Sequence, residues 1–175
     1  MFENMTMRRG PMYDPASVQP MRDELTFVGI EELLSPGAVD EAIAAEGTLF
    51  VIVNSVCGCA AGGARPAAAL ALQHTVIPDR SATVFAGMER DAVDRMRERI
   101  GQPPSSPSMA MFRDGELVWF MPRSAIEGYS AEQISAEIRR AFDMFCSRQG
   151  PSIAPEQYAQ LEHARMCGSK IPRID

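Results

Sequence analysis

Thr48-Leu49-Phe50-Val51-Ile52-Val53-Asn54-Ser55-Val56-Cys57-Gly58-Cys59-Ala60-Ala61-Gly62-Gly63 is the stretch that orders the rest of the chain. Its first six residues, Thr48–Val53, are apolar and largely β-branched with no polar alternation, the pattern of a central strand covered on both faces. Ala60–His74 beyond the thiols is rich in alanine and reads as a helix, although it carries Pro66. Cys57 and Cys59 therefore stand where a buried strand ends and a helix begins, one glycine apart.

Upstream, Asp14-Pro15 is a cap followed by proline at the first helical position, and Val18, Met21 and Leu25 continue at helical spacing despite Pro20. Val28–Leu33 reads as a short extended piece. Ser35-Pro36 repeats the cap signal for a second helix with Val39, Ala42 and Ile43 inward, closed by Gly47. Downstream come a strand at Ala82–Ala86 and a helix at Arg90–Ile100 with Val93, Met96 and Ile100 on one face. Ser108–Phe112 and Glu116–Phe120 form a hairpin across Asp114-Gly115. Ser130–Phe145 is an amphipathic helix with Ile134, Ile138, Ala141, Phe142 and Phe145 inward. The early alternation of helix and strand predicts an α/β fold, a mixed sheet whose parallel strands are joined by helical crossovers, with the late hairpin adding an antiparallel edge. Ser147–Pro155 is linker-like, Glu156–Met166 reads as a short helix, and 147–175 is an extension of a domain spanning 12–146, not a second domain.

At 175 residues one domain is expected, large enough for a core without staples. A net charge of -6 argues against a nucleic-acid partner, and no apolar run is long enough to span a membrane. The first ten residues lack the apolar stretch of a secretory signal, so the expected compartment is reducing and cytoplasmic. There the four cysteines are redox-active, catalytic or metal-binding sooner than structural.

A helix N-terminus offers free N–H groups and a partial positive charge, which favour thiolate over thiol. Cys57, at the cap or first turn, and Cys59, inside it, are thus expected to be more acidic than free cysteine. A thiolate attacks a disulfide sulfur to give a mixed disulfide that a neighbouring thiol can resolve. Gly58 supplies the freedom for a sharp turn, and a ring closed across so short a span is strained and easily reduced. Gly62 and Gly63, each costing about 1 kcal/mol of helix propensity against alanine, suggest close approach of a substrate or backbone. Half of a metal site, or two small buried residues, are the alternatives for a Cys-x-Cys pair. Between helix and strand, Pro103-Pro104-Ser105-Ser106-Pro107-Ser108 could present the Ser106 backbone to an extended peptide if Ser106–Pro107 were cis. By frequency alone it should be trans, since about 5–6% of X–Pro bonds are cis.

Val53-Asn54-Ser55-Val56-Cys57-Gly58-Cys59-Ala60-Ala61-Gly62 and Ala64-Arg65-Pro66-Ala67 resemble the bacilliredoxins, thioredoxin-like proteins with a Cys-Gly-Cys motif. The resemblance continues through Pro20-Met21-Arg22 and Glu24-Leu25-Thr26, Val84-Phe85-Ala86-Gly87, Pro104-Ser105-Ser106-Pro107-Ser108-Met109-Ala110 and Ile126-Glu127-Gly128 to Ala141-Phe142-Asp143 and Cys146. It implies a thioredoxin-like fold with helices on both faces of the sheet, and a thiol-disulfide oxidoreductase that removes bacillithiol, or another low-molecular-weight thiol, from S-thiolated client proteins. It also implies Cys57 as attacking thiolate, Cys59 as candidate resolving thiol, and Gly58, Ser106 and a cis Pro107 positioning substrate. A thiol or disulfide reductase would recycle the protein, and no tightly bound cofactor is expected. Protein-disulfide isomerase activity, or a non-enzymatic thiol-metal or redox-sensing role, is the alternative. The family pattern departs at Val56, where thioredoxins carry tryptophan, and after Cys146, so Cys167 inherits no role. Cys146 and Cys167 remain auxiliary-thiol candidates, Cys146 with burial beside Phe142 and Phe145 as its plainer reading. Neither His74 nor His163 has a cysteine or aspartate at triad or zinc spacing, and no metal site is expected.

Overall fold

The computed structural model describes residues 9–166 and 168–174; Cys167 lies outside the described residues. Five strands form the main sheet in the order β1-β4-β2-β5-β6, with β1 at Glu31–Glu32, β2 at Thr48–Asn54, β4 at Arg80–Phe85, β5 at Ser108–Arg113 and β6 at Glu116–Met121. β1, β4 and β2 are parallel, while β5 and β6 run antiparallel to their neighbours. The expected mixed sheet with a terminal hairpin is therefore present, and Asp114 and Gly115 both take positive φ in its turn.

Every residue of β2 is buried, because its two faces serve two cores. Phe50 and Ile52 point into a core with α1 (Pro15–Thr26), α3 (Arg65–Ala71) and α5 (Ala131–Phe145). Leu49, Val51 and Val53 face α2 (Pro36–Ala44) and α4 (Arg90–Ile100). Period-two alternation of apolar residues on a doubly covered strand explains why the sequence showed none of polarity.

The helix boundaries follow their caps. Asp14 accepts from Ser17 N, Ser35 from Ala38 N, and Ser130 with Gln133 closes a reciprocal box. α1 continues through Pro20 as one helix, forgoing the single bond that proline cannot donate. α4 ends on Gly101 at φ 69°.

Three expectations change. Val28–Leu33 contributes only the two residues of β1 to the sheet. A second, two-stranded sheet joins β3 (Val76–Ile77) to β7 (Arg148–Gln149), so the linker-like segment after Cys146 is pinned to the domain. The helix expected over Glu156–Met166 stops early, leaving α6 at Pro155–Tyr158. Beyond it the backbone of Ala164 is taken by buried side chains: its N–H donates to Glu24 Oε2 at 3.4 Å, and its carbonyl accepts from Arg65 Nη2 at 3.1 Å. A helix would have used both groups internally. Ile171 then buries itself among Val18, Met21, Val56, Phe85 and Met88, at the carboxyl end of β2 and β4, and Tyr13 bridges to Arg173.

Candidate functional site

β2 delivers Asn54 to the carboxyl edge of the sheet, where open α/β folds place their ligands. Asn54 is buried, donates to Met21 O at 3.3 Å, and through Oδ1 accepts from Ser55 N at 2.8 Å and Arg65 Nη1 at 3.1 Å. Ser55 Oγ accepts from Cys57 N at 3.2 Å. Ala60 N and Ala61 N both donate to Cys57 O, at 3.1 and 3.2 Å, so the helical path starts from the first cysteine.

Its first turns are wide. Ala60–Ala64 is a π-helix in which Arg65 N donates to Ala60 O, and the α-helical register begins around Pro66, which has no N–H to offer. The two glycines separate in role. A Cβ at Gly63 would lie 3.2 Å from Ile134 of α5, whereas one at Gly62, like one at Gly58, would meet nothing within 4 Å. Gly63 thus allows close approach of two helices, and the other two leave the surface beside the thiols open.

Cys57 and Cys59 are partly exposed free thiols. The Cys59 thiol is pushed up from its ordinary value, first by burial and then by the charge of Cys57, with Arg123 acting in the opposite sense. The direction at Cys59 is thus opposite to the acidity expected of a first-turn cysteine, with burial as its leading cause.

Arg123, just after β6, joins the separated parts of the site. Its Nη2 lies 3.7 Å from Cys59 Sγ and its Nη1 donates to Ser106 O at 3.2 Å. Ser105 Oγ accepts from its backbone N–H at 3.3 Å. The Ser106–Pro107 bond is cis, and the Arg123 contacts set the loop singled out in the sequence beside Cys59, with Arg123 between them. The negative charge at Cys57 is the first cause raising the Arg123 guanidinium above its ordinary value.

Beneath the pair lies a second arginine. Arg65 is fully buried, donates to Ser55 O at 2.7 Å, and pairs with buried Glu24 at 3.4 Å. Glu24 also meets His163 Nδ1 of the extension at 3.2 Å. Burial is the leading influence on both members, raising the Glu24 carboxyl and lowering the Arg65 guanidinium. Desolvation thus competes strongly with their attraction.

Sequence reasoning missed Arg65, Glu24 and Arg123 as parts of the site. Arg65 had a usable signal, being the one charged residue of Ala60–Ala71, where a buried charge demands a partner. Arg123 gave none, since its contact with Cys59 spans 64 positions.

Cys146 is not brought to the site. It follows α5, its Sγ 3.5 Å from Met111 Sδ. Thr48, which bears on its thiol, opens β2 and Cys57 follows its end, a separation of about 20 Å at roughly 3.3 Å per residue. Among the described residues no three His, Cys, Asp or Glu side chains group as a metal site, and no helix is long and apolar enough to cross a membrane. A cavity of about 590 Å³ between β6 and α5, lined by Trp119, Met121 and Tyr129 among others, includes none of the cysteines. A smaller one of about 400 Å³ opens at Gly58.

A family model described as disulphide isomerase matches residues 13–146. A bacilliredoxin of Koribacter versatilis is 51% identical over 137 residues, covering 77% of this chain and 94% of its own. A bacilliredoxin of Geobacillus kaustophilus is 52% identical over 132 residues, covering 74% and 91%, and one of Halalkalibacterium halodurans 51% over 131 residues, with the same coverage. A solved structure described as having a thioredoxin fold superposes with a TM-score of 0.50 at 20% identity, over 66% of this chain and 98% of that one. That likeness shows the fold: the sheet and helices are those of thioredoxin.

Proposed function

This chain belongs to the bacilliredoxin family and is a thiol-disulfide oxidoreductase, and from that premise we propose that it strips a low-molecular-weight thiol, bacillithiol or a relative, from S-thiolated proteins. The observation that carries the reading is the grouping of Cys57, Cys59, Arg123 and the Ser106 carbonyl at one edge of the sheet. Cys57, first in the chain and at the start of the helical path, is the attacking thiolate. It attacks the small thiol's sulfur in the mixed disulfide. The S–S bond breaks, the client leaves as a thiolate that takes up a proton, and the small thiol remains on Cys57. Cys59, whose thiol holds its proton more tightly than usual, stays out of the first step. In the second it gives up that proton, with Arg123 beside its sulfur, and attacks Cys57 Sγ. The small thiolate departs and the Cys57–Cys59 disulfide forms. Two electrons from a thiol or a disulfide reductase then restore the dithiol. Gly58, Ser106 and Pro107 form the surface against which the client backbone lies.

The test is release of thiol from a bacillithiolated model protein, followed by intact mass. Cys57→Ala should abolish release, and Cys59→Ser should accumulate the adduct on Cys57. Release by Cys57→Ala at the wild-type rate sinks the assignment. Isomerisation of client disulfides is the second reading, favoured by the description of the matching family model. It requires that scrambled client disulfides rearrange with no low-molecular-weight thiol present. A thiol-metal or sensing role would instead leave both client assays silent.

A further inference from the structure

The cavity of about 400 Å³ has a floor from the domain, Gly58, Ala61, Gly62 and Pro66, and a wall from the extension, His163 and Arg165. It begins at the residue next to the attacking cysteine. The floor carries almost no side chain, and the space over Gly58 and Gly62 is open. The wall is held rigidly by the buried pair below it: His163 Nδ1 meets Glu24, and the intervening Ala164 is fixed through both backbone groups by Glu24 and Arg65. Arg165, one residue on, is exposed and has no carboxylate partner among the described residues. An arginine that lines a small-molecule-sized cavity without a partner, beside a nucleophile, is placed to meet an anion.

We propose that this groove receives the non-protein half of the mixed disulfide on Cys57, and that Arg165 selects a small thiol carrying a carboxylate. The inference rests on the reading of Cys57 as the attacking thiolate. The occupant is small because pockets of this size, on the order of 300–1,000 Å³, suit single small molecules. It is anionic because the groove's unpaired charge is positive, against a chain of net charge -6 that by itself repels anions. The extension, outside the domain that carries the dithiol, thereby becomes a specificity element for the covalent partner. The bond made and broken is unchanged: Cys57 Sγ attacks the small thiol's sulfur in the mixed disulfide, the client leaves as a thiolate, and the retained small thiol occupies the groove.

Oxidised glutathione (carboxylate-bearing), 2-hydroxyethyl disulfide (neutral) and cystamine (cationic) are reacted with the reduced full chain, with Arg165→Gln and with Arg165→Glu. Adduct rates are read by mass at low and high salt, with Cys57→Ala locating the reacting sulfur. The quantity compared is the rate with oxidised glutathione relative to that with the neutral disulfide in the same protein, which also controls for folding. That ratio should fall about fivefold in Arg165→Gln and further in Arg165→Glu, which should gain towards cystamine. The differences should shrink at high salt. Ratios equal in all three proteins overturn the groove while leaving Cys57 as nucleophile. Failure of all three disulfides to react at Cys57 overturns the nucleophile and the groove together.

Discussion

The sulfur of Cys146 is held in a different chemistry from that of the dithiol. Burial pushes its thiol from 9.0 up to about 11, with Thr48 and Arg113 pulling down and Asp79 and Asp143 pushing up. At pH 8 this rise leaves its thiolate about a hundredfold scarcer than for an ordinary thiol. Iodoacetamide at pH 8 should therefore label Cys57 well before Cys146, which should react fast only in denaturant; equal labelling in peptide mass maps of the folded protein would contradict this. The sign for stability follows. A folded-state value above the unfolded one gives a contribution fully present below about pH 9 and lost as pH climbs through about 11. Cys146→Ala should flatten the alkaline fall of the unfolding midpoint. At this scale the sequence displayed Cys57, Gly58, Cys59 and the Ser106-Pro107 pair, because each is a local pattern with its own chemistry. It did not display Arg123, whose contacts with Ser106 and Cys59 span 17 and 64 positions, nor the upward push on the Cys59 thiol, since hydration loss depends on what the rest of the chain lays over the sulfur.

Helices α1 and α3 meet the extension at Glu24 and Arg65, and the energetics of that meeting can be separated. Both side chains are wholly buried and 3.4 Å apart, with Arg65 Nε not aligned for a hydrogen bond. Arg65→Met would leave Glu24 charged in the interior with only His163 and the Ala164 N–H for partners, a loss of about 3–5 kcal/mol. Glu24→Leu would strand Arg65 likewise. The double variant Glu24→Leu/Arg65→Met removes both charges together and should cost clearly less than the sum of the singles. Urea unfolding of the four proteins decides it, and strict additivity would mean the pair is not coupled. The elements that carry this pair were readable: caps at Asp14, Ser35 and Ser130 and the Asp114-Gly115 turn mark their own ends. Where local rules failed, a tertiary partner had captured backbone. Glu156–Met166 has the composition of a helix, yet Ala164 is bound to Glu24 and Arg65, and the helix ends at Tyr158.

Across the whole molecule, the extension is a strap that returns over the active edge of the sheet. It begins at β7 on the far side, sends Ile153, Tyr158 and Leu161 against the core, supplies His163 and Ala164 to the buried pair, and closes with Ile171 under Val56. Gly168 lies so close to the Val56 backbone that a Cβ there would come within 3.0 Å of its carbonyl oxygen. The strap therefore braces the residue immediately before Cys57. The matched relatives are covered over 94% and 91% of their own length by 137 and 131 residues, little more than the domain. Ending this protein after Cys146 should accordingly leave a folded domain, but one that melts lower, because Val18, Met21 and Phe85 lose their cover and Glu24 and Arg65 lose partners. Ile171→Ala isolates the packing part and should cost about 2–5 kcal/mol, the range for deleting a buried isoleucine side chain. Amide exchange reads the bracing directly. In the truncated chain the N–H groups from Val56 to Ala61 should exchange faster by more than the global loss of stability accounts for, while those of β4 should follow that loss alone. Equal acceleration in both segments would mean that the strap merely adds stability, and that the dithiol is positioned by the domain without it.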